Sequence, residues 1–90
     1  PIFTIVLDNG GWSAVKESTL RMYPDGQAKA IDAFEAELAS DVDFSKMIEG
    51  YGGYGELLNK PDKIEGALDS CLEALRSGRS ALLHVKVKRL

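Results

Sequence analysis

The stretch Ile2-Phe3-Thr4-Ile5-Val6-Leu7-Asp8-Asn9-Gly10-Gly11-Trp12 decides how the rest of the chain is read. Its first six residues are apolar but for Thr4 and rich in β-branched side chains, which suits a strand buried on both faces of a parallel sheet. The run ends in a polar step, two glycines and a segment of helical period. Asn-Gly also suits a tight hairpin turn, but a hairpin needs a second strand, and Trp12 onward has the wrong period for one. In open parallel sheets ligands bind beyond the carboxyl ends of the strands, where Asp8, Asn9, Gly10 and Gly11 fall.

Working outward, Trp12, Val15, Thr19 and Met22 recur at helical spacing, so residues 12–22 read as a helix that Pro24-Asp25-Gly26 ends. Residues 27–40 read either as a helix lined by Ala28, Ile31, Phe34 and Leu38 or as an irregular excursion. Asp43 is placed to cap a short helix with Phe44, Met47, Ile48 and Tyr51 as its apolar stripe and Gly52-Gly53 at its end. Tyr54 to Leu58 is a short strand. Asn59-Lys60-Pro61-Asp62 opens a helix, with Asp62 and Glu65 spaced as a capping box. Ile64, Leu68, Cys71, Leu72 and Leu75 form the apolar face of that helix, and Ser77-Gly78 closes it. Ala81 to Val87 is the last strand; Leu83, Val85 and Val87 alternate with His84, Lys86 and Lys88, which predicts one exposed face and a half-exposed His84.

Strands separated by helices imply an α/β fold in three layers, a parallel sheet with flanking helices. Three strands make a thin sheet with both edges open. The chain begins at Pro1 and enters a strand at once, so it reads as a piece of a longer protein with part of its sheet elsewhere.

At 90 residues, 44% hydrophobic and 28% charged, the composition is that of an ordinary globular chain. A net charge of −3 argues against a nucleic-acid binder and against an anionic membrane surface. No run approaches the roughly 18 apolar residues of a membrane span. The single cysteine, Cys71, allows no internal disulfide and points to a reducing, cytoplasmic setting. It falls on an apolar helix face and reads as core. His84 has no serine, cysteine or carboxylate beside it in sequence to mark a triad. Gly50-Tyr51-Gly52-Gly53-Tyr54-Gly55 matches GxGxxG, but it closes a helix and leads into a strand, the reverse of a dinucleotide site.

The turn after the first strand has the chemistry of a magnesium–phosphate site. An amide oxygen and backbone carbonyls are hard donors, and magnesium completes its shell with phosphate and water. Glycines allow close backbone approach to a phosphate, and the following helix turns its N-terminus toward the anion. These residues carry a resemblance. Val6 through Trp12, then Leu20-Arg21-Met22-Tyr23-Pro24-Asp25-Gly26, Asp43-Phe44, Gly52-Gly53-Tyr54-Gly55-Glu56 and Ser80-Ala81-Leu82-Leu83, resemble thiamine-diphosphate-dependent enzymes of the acetolactate synthase and benzoylformate decarboxylase group. The cofactor motif of that family begins with Gly-Asp-Gly and ends, after a buried strand, in Asn-Asn. Asp8-Asn9 matches the terminal pair, with Asp in place of the first Asn.

The resemblance implies that Asn9 gives its side-chain oxygen to Mg2+ and Gly11 its backbone carbonyl. It places Gly10 and Trp12 beside the diphosphate of thiamine diphosphate, and Ala14 and Val15 on the wall of the substrate pocket; Trp12 reads equally as packing for the helix start. It implies decarboxylation or carboligation of a 2-oxo acid in the parent protein. There is no Gly-Asp-Gly in the 90 residues, and the family's catalytic glutamate belongs to another domain. Residues 1–90 therefore read as the C-terminal half of a diphosphate-binding domain, inactive alone, that forms a homo-oligomer or associates with the rest of the site. Two other readings stand beside it: a non-catalytic α/β module pairing with a chain that carries Gly-Asp-Gly, and a flavodoxin-like mononucleotide binder that needs no metal.

Overall fold

Three parallel strands carry the fold: β1 (Phe3–Asp8), β2 (Tyr54–Leu58) and β3 (Ala81–Lys86), hydrogen-bonded in the order β1-β3-β2. The computed structural model describes residues 1–38 and 41–88. β1 runs alongside β3 from Phe3 opposite Ala81 to Asp8 opposite Lys86, and β2 from Tyr54 opposite Ala81 to Leu58 opposite Val85. Helices α1 (Ser13–Met22), α2 (Gln27–Ala30), α3 (Ser45–Glu49) and α4 (Ile64–Arg76) complete the chain, with a 3₁₀ turn at Pro61–Lys63 leading into α4. Two compact units result. One is Pro1–Asp8 with Asp41–Val87, and the other is built on the segment that begins at Asn9.

In the first unit, side chains alternate across the sheet. Ala81 and Leu83 of β3 and Leu58 of β2 meet Ala67, Cys71 and Ala74 of α4, with Phe3, Tyr54, Leu68 and Val85 packed around them. Ala67, Cys71 and Ala74 follow one another at helical spacing, and their small side chains let α4 lie close on the sheet. The expected stripe is therefore rotated: Leu68 and Leu75 are half-buried, while Ile64 and Leu72 flank the contact and stay exposed. α3 covers the opposite face, where a Cβ on Gly55 would stand 2.0 Å from the Ser45 carbonyl oxygen. The expected α/β sheet with helices in three layers is observed.

Burial of the strands departs from expectation, because β3 and not β1 is central. β1 is an edge strand; Ile5 is 49% and Leu7 70% exposed, since α4 lies mainly over β2 and β3. β3 is covered on both faces, with Leu83 1% and His84 0% exposed. The half-exposed strand histidine expected from alternation is thus fully buried.

Local ends differ as well. α3 starts at Ser45, yet Asp43 still accepts the Ser45 N–H at 2.9 Å, a cap displaced by one residue. Phe44 and Ile48 are half-buried, whereas Met47 and Tyr51 of the expected stripe are exposed. The 3₁₀ turn takes the place of the Asp62–Glu65 capping box, and α4 has no side-chain cap.

In the second unit, α1 forms as expected, but Trp12, Val15 and Met22 are exposed rather than buried. Of the two readings for residues 27–40, the irregular excursion holds for the described part. α2 is a single turn, and Asp32 and Glu35 then take left-handed φ values of 51° and 52°. The excursion closes by an antiparallel bridge between Gly11 and Glu37. Ala39 and Ser40 lie outside the described residues.

Candidate functional site

The turn after β1 builds its own geometry. Gly11 donates its N–H to Asn9 Oδ1 at 3.2 Å, which fixes the orientation of the Asn9 amide. Asn9 Nδ2 then donates to Ser13 Oγ at 3.1 Å, tying the turn to the first residue of α1. Gly10 has φ +77°, a conformation that only glycine adopts without strain. Trp12 donates to the Ala36 carbonyl at 2.7 Å, and Leu38 to the Gly10 carbonyl at 2.9 Å. Gly11 and Glu37 are thereby the non-hydrogen-bonded pair of this bridge, so the N–H and C=O of Gly11 point away from the facing segment. The N–H is taken up by Asn9. The Gly11 carbonyl and the second lone pair of Asn9 Oδ1 remain as two hard oxygens within one turn.

That donor set fits magnesium, which takes one or two protein oxygens and fills its shell from phosphate and water. Trp12, 55% exposed, closes the turn, and Ala14 and Val15 present exposed side chains from the first turn of α1. The residues read from sequence as a site thus stand along one continuous turn and helix start. In the same unit, Lys16 Nζ lies 5.1 Å from the centre of the Phe34 ring and 4.0 Å from Asp32. They line a groove of about 210 Å³ with Ala36 and Glu37, a feature that the sequence gives no period or motif to find.

In the first unit a second polar cluster gathers around His84. Nε2 lies 2.7 Å from Asp8 Oδ2, and Lys86 Nζ donates to the same oxygen at 2.7 Å. Nδ1 accepts the Phe44 N–H at 3.1 Å and lies 3.7 Å from Asp43 Oδ1. Asp43 Oδ1 in turn accepts from Ser45 N–H at 2.9 Å and Ser45 Oγ at 2.5 Å. Those bonds, the Ser45 hydroxyl first, hold the Asp43 carboxyl below the usual carboxylate range against the opposing effect of its partial burial. The arrangement is not a nucleophilic triad: Ser45 is bound to Asp43 and not to the imidazole, and the fully buried ring meets no substrate.

Among the described residues, no three His, Cys, Asp or Glu side chains gather into a metal site, and no helix is long and apolar enough to cross a membrane. No curated protein and no solved structure matches the chain. A family model does: the one described as thiamine pyrophosphate enzyme, C-terminal TPP binding domain, matches residues 1–85. With the match covering nearly the whole chain and the strand–turn–helix in place, the protein belongs to the thiamine pyrophosphate enzyme family, through its C-terminal TPP-binding domain.

Proposed function

We propose that this chain is the C-terminal half of the TPP-binding domain of an enzyme of the acetolactate synthase and benzoylformate decarboxylase type, acting on 2-oxo acids by decarboxylation, carboligation or both. In this reading Asn9 Oδ1 and the Gly11 carbonyl hold Mg2+, Gly10 and Trp12 border the diphosphate, and Ala14 and Val15 form a small apolar wall of the substrate pocket. When bound, the cofactor supplies the nucleophilic carbon for attack on the 2-oxo group. The chain's own residues bind and orient. The left-handed Gly10 brings backbone to the phosphate, Asn9 sets the oxygen that meets the metal, and the exposed Trp12 and Val15 offer apolar surface to the cofactor and substrate. None of these side chains is a titratable acid or base, so proton transfer falls to groups outside the turn. The free, buried Cys71 supports a reducing, cytoplasmic compartment.

The observation that carries this reading is the turn in which Asn9 Oδ1 takes the Gly11 N–H and the bridge leaves the Gly11 carbonyl pointing away from the Glu37 segment. Its test is a fluorescence titration on Trp12, the only tryptophan in the chain. Thiamine diphosphate is added with magnesium and then with chelator. A saturable, magnesium-dependent change that disappears in Asn9→Ala is the expected result. A change indifferent to chelator and to the substitution would refute the ligand assignment.

The uncovered Ile5 and Leu7 favour a second reading, in which the chain is a non-catalytic α/β subunit paired with one that carries Gly-Asp-Gly. In both readings the 90 residues alone do not decarboxylate pyruvate or benzoylformate. Turnover restored by adding a purified Gly-Asp-Gly chain would mark a split enzyme, and a stable but inactive complex would mark the module.

A further inference from the structure

The His84 ring uses both of its nitrogens. Phe44 N–H donates to Nδ1 at 3.1 Å. A backbone amide only donates, so Nδ1 is the bare nitrogen and Nε2 carries the hydrogen. Nε2–H then donates to Asp8 Oδ2, whose charge Lys86 Nζ already balances at 2.7 Å. The charged groups facing the ring are therefore Asp8 from β1, Lys86 from β3 and Asp43 ahead of α3. β2 presents Leu57 as the register partner of His84, while Glu56 turns to the other face and accepts the Tyr54 hydroxyl.

We propose that His84 is a protonation-dependent latch: the neutral ring holds Phe44 and the start of α3 to the sheet, and the protonated ring releases Phe44 and takes Asp43 instead. A proton from solvent adds at Nδ1, the ring's basic lone pair. It then opposes the Phe44 N–H, donor against donor. An acceptor stands 3.7 Å away at Asp43 Oδ1, too far for a hydrogen bond. A charge-assisted N–H···O bond closes at about 2.8 Å, so the Asp43–Phe44 segment has to shift by roughly an ångström to make one. The Phe44 amide loses its acceptor in that shift. The Phe44 ring, 5.0 Å from the imidazole between centroids, moves with it. All of these groups lie outside the Asn9–Val15 turn, so the latch does not rest on the cofactor reading.

Nuclear magnetic resonance on the full 90-residue chain tests this directly, because His84 is the only histidine and its ring nitrogens are unambiguous. At neutral pH, Nδ1 should give the signal of a bare nitrogen and Nε2 that of a protonated one. As pH is lowered, the ring should protonate. Hydrogen-exchange protection of the Phe44 amide should then fall about tenfold with the same midpoint, the loss of one net hydrogen bond. Protection at Cys71 and Leu83 should hold through that midpoint. Any one of three results overturns the proposal: the opposite tautomer at neutral pH, Phe44 protection unchanged as the ring protonates, or protection lost together at Phe44, Cys71 and Leu83. A ring that stays neutral until the fold is lost overturns it too. His84→Asn, which keeps an amide near the Nδ1 position and cannot titrate, should hold Phe44 protection level over the same range.

Discussion

Asp43 and Cys71 are shifted in opposite ways, and each shift has a measurable consequence. The Ser45 hydroxyl and amide lower the Asp43 carboxyl below its ordinary range. A carboxylate lowered in the folded state stabilises it fully above the unfolded value, and that contribution disappears as pH falls through the folded one. Acid unfolding followed by circular dichroism should therefore show Asp43→Asn less stable than the parent at neutral pH. The gap should begin to narrow below about pH 4, where the unfolded carboxyl takes up its proton, and close as pH falls through the lower range of the folded one. Burial pushes the Cys71 thiol up, and the residue is 0% exposed. A thiol reagent at pH 8 should label it on the order of a hundredfold more slowly in the folded chain than in denaturant, since it must wait for an opening. That a turn falls at Asn9, Gly10 and Gly11 was legible in the sequence, because the Asn9–Gly11 bond is made within three residues of chain, whereas the bridge to Glu37 was not. His84 was not: its partners Phe44 and Asp8 lie 40 and 76 positions away, and no local pattern announces them.

Among the elements, the contact between α3 and β2 depends on the absence of a side chain at Gly55. A Cβ there would meet the Ser45 carbonyl carbon at 2.8 Å as well as its oxygen, and backbone cannot swing aside as a side chain does. Gly55→Ala should cost about 3 kcal/mol in urea unfolding, at the upper end for overpacking. Gly66, exposed within α4 with nothing near its Cβ position, is the opposite case. Gly66→Ala should stabilise the chain by about 0.5–1 kcal/mol through helix propensity alone. Strand and helix identities were readable because apolar period survives in each segment. The exact face of α4 was not, because helical period is indifferent to whether leucines or alanines touch the sheet. Close packing chose Ala67 and Ala74. The segment after Gly26 misled for a related reason: Ala28, Ile31, Phe34 and Leu38 keep helical spacing, but the left-handed Asp32 and Glu35 break the helix between them.

For the molecule as a whole, the α/β class followed from the alternation of strands and helices, but the strand order did not. An apolar run says that a strand can be buried and not which neighbours will bury it, and so the roles of β1 and β3 were exchanged. The apolar face that β1 leaves open, Ile5 and Leu7, is expected to drive association. Sedimentation velocity should show mass rising with concentration, and Leu7→Lys should return the chain toward monomer without loss of helical signal. The order β1-β3-β2 also bears on how the chain folds. Among the described residues, β3 is the hydrogen-bonded strand neighbour of both β1 and β2, and Asp8 and Lys86 are 78 residues apart. Pairing of β1 with β3 therefore brings together strands separated by nearly the whole described chain. Closing so long a loop costs entropy before the strand contacts repay it, so β1–β3 pairing is expected to be slow beside the local helices.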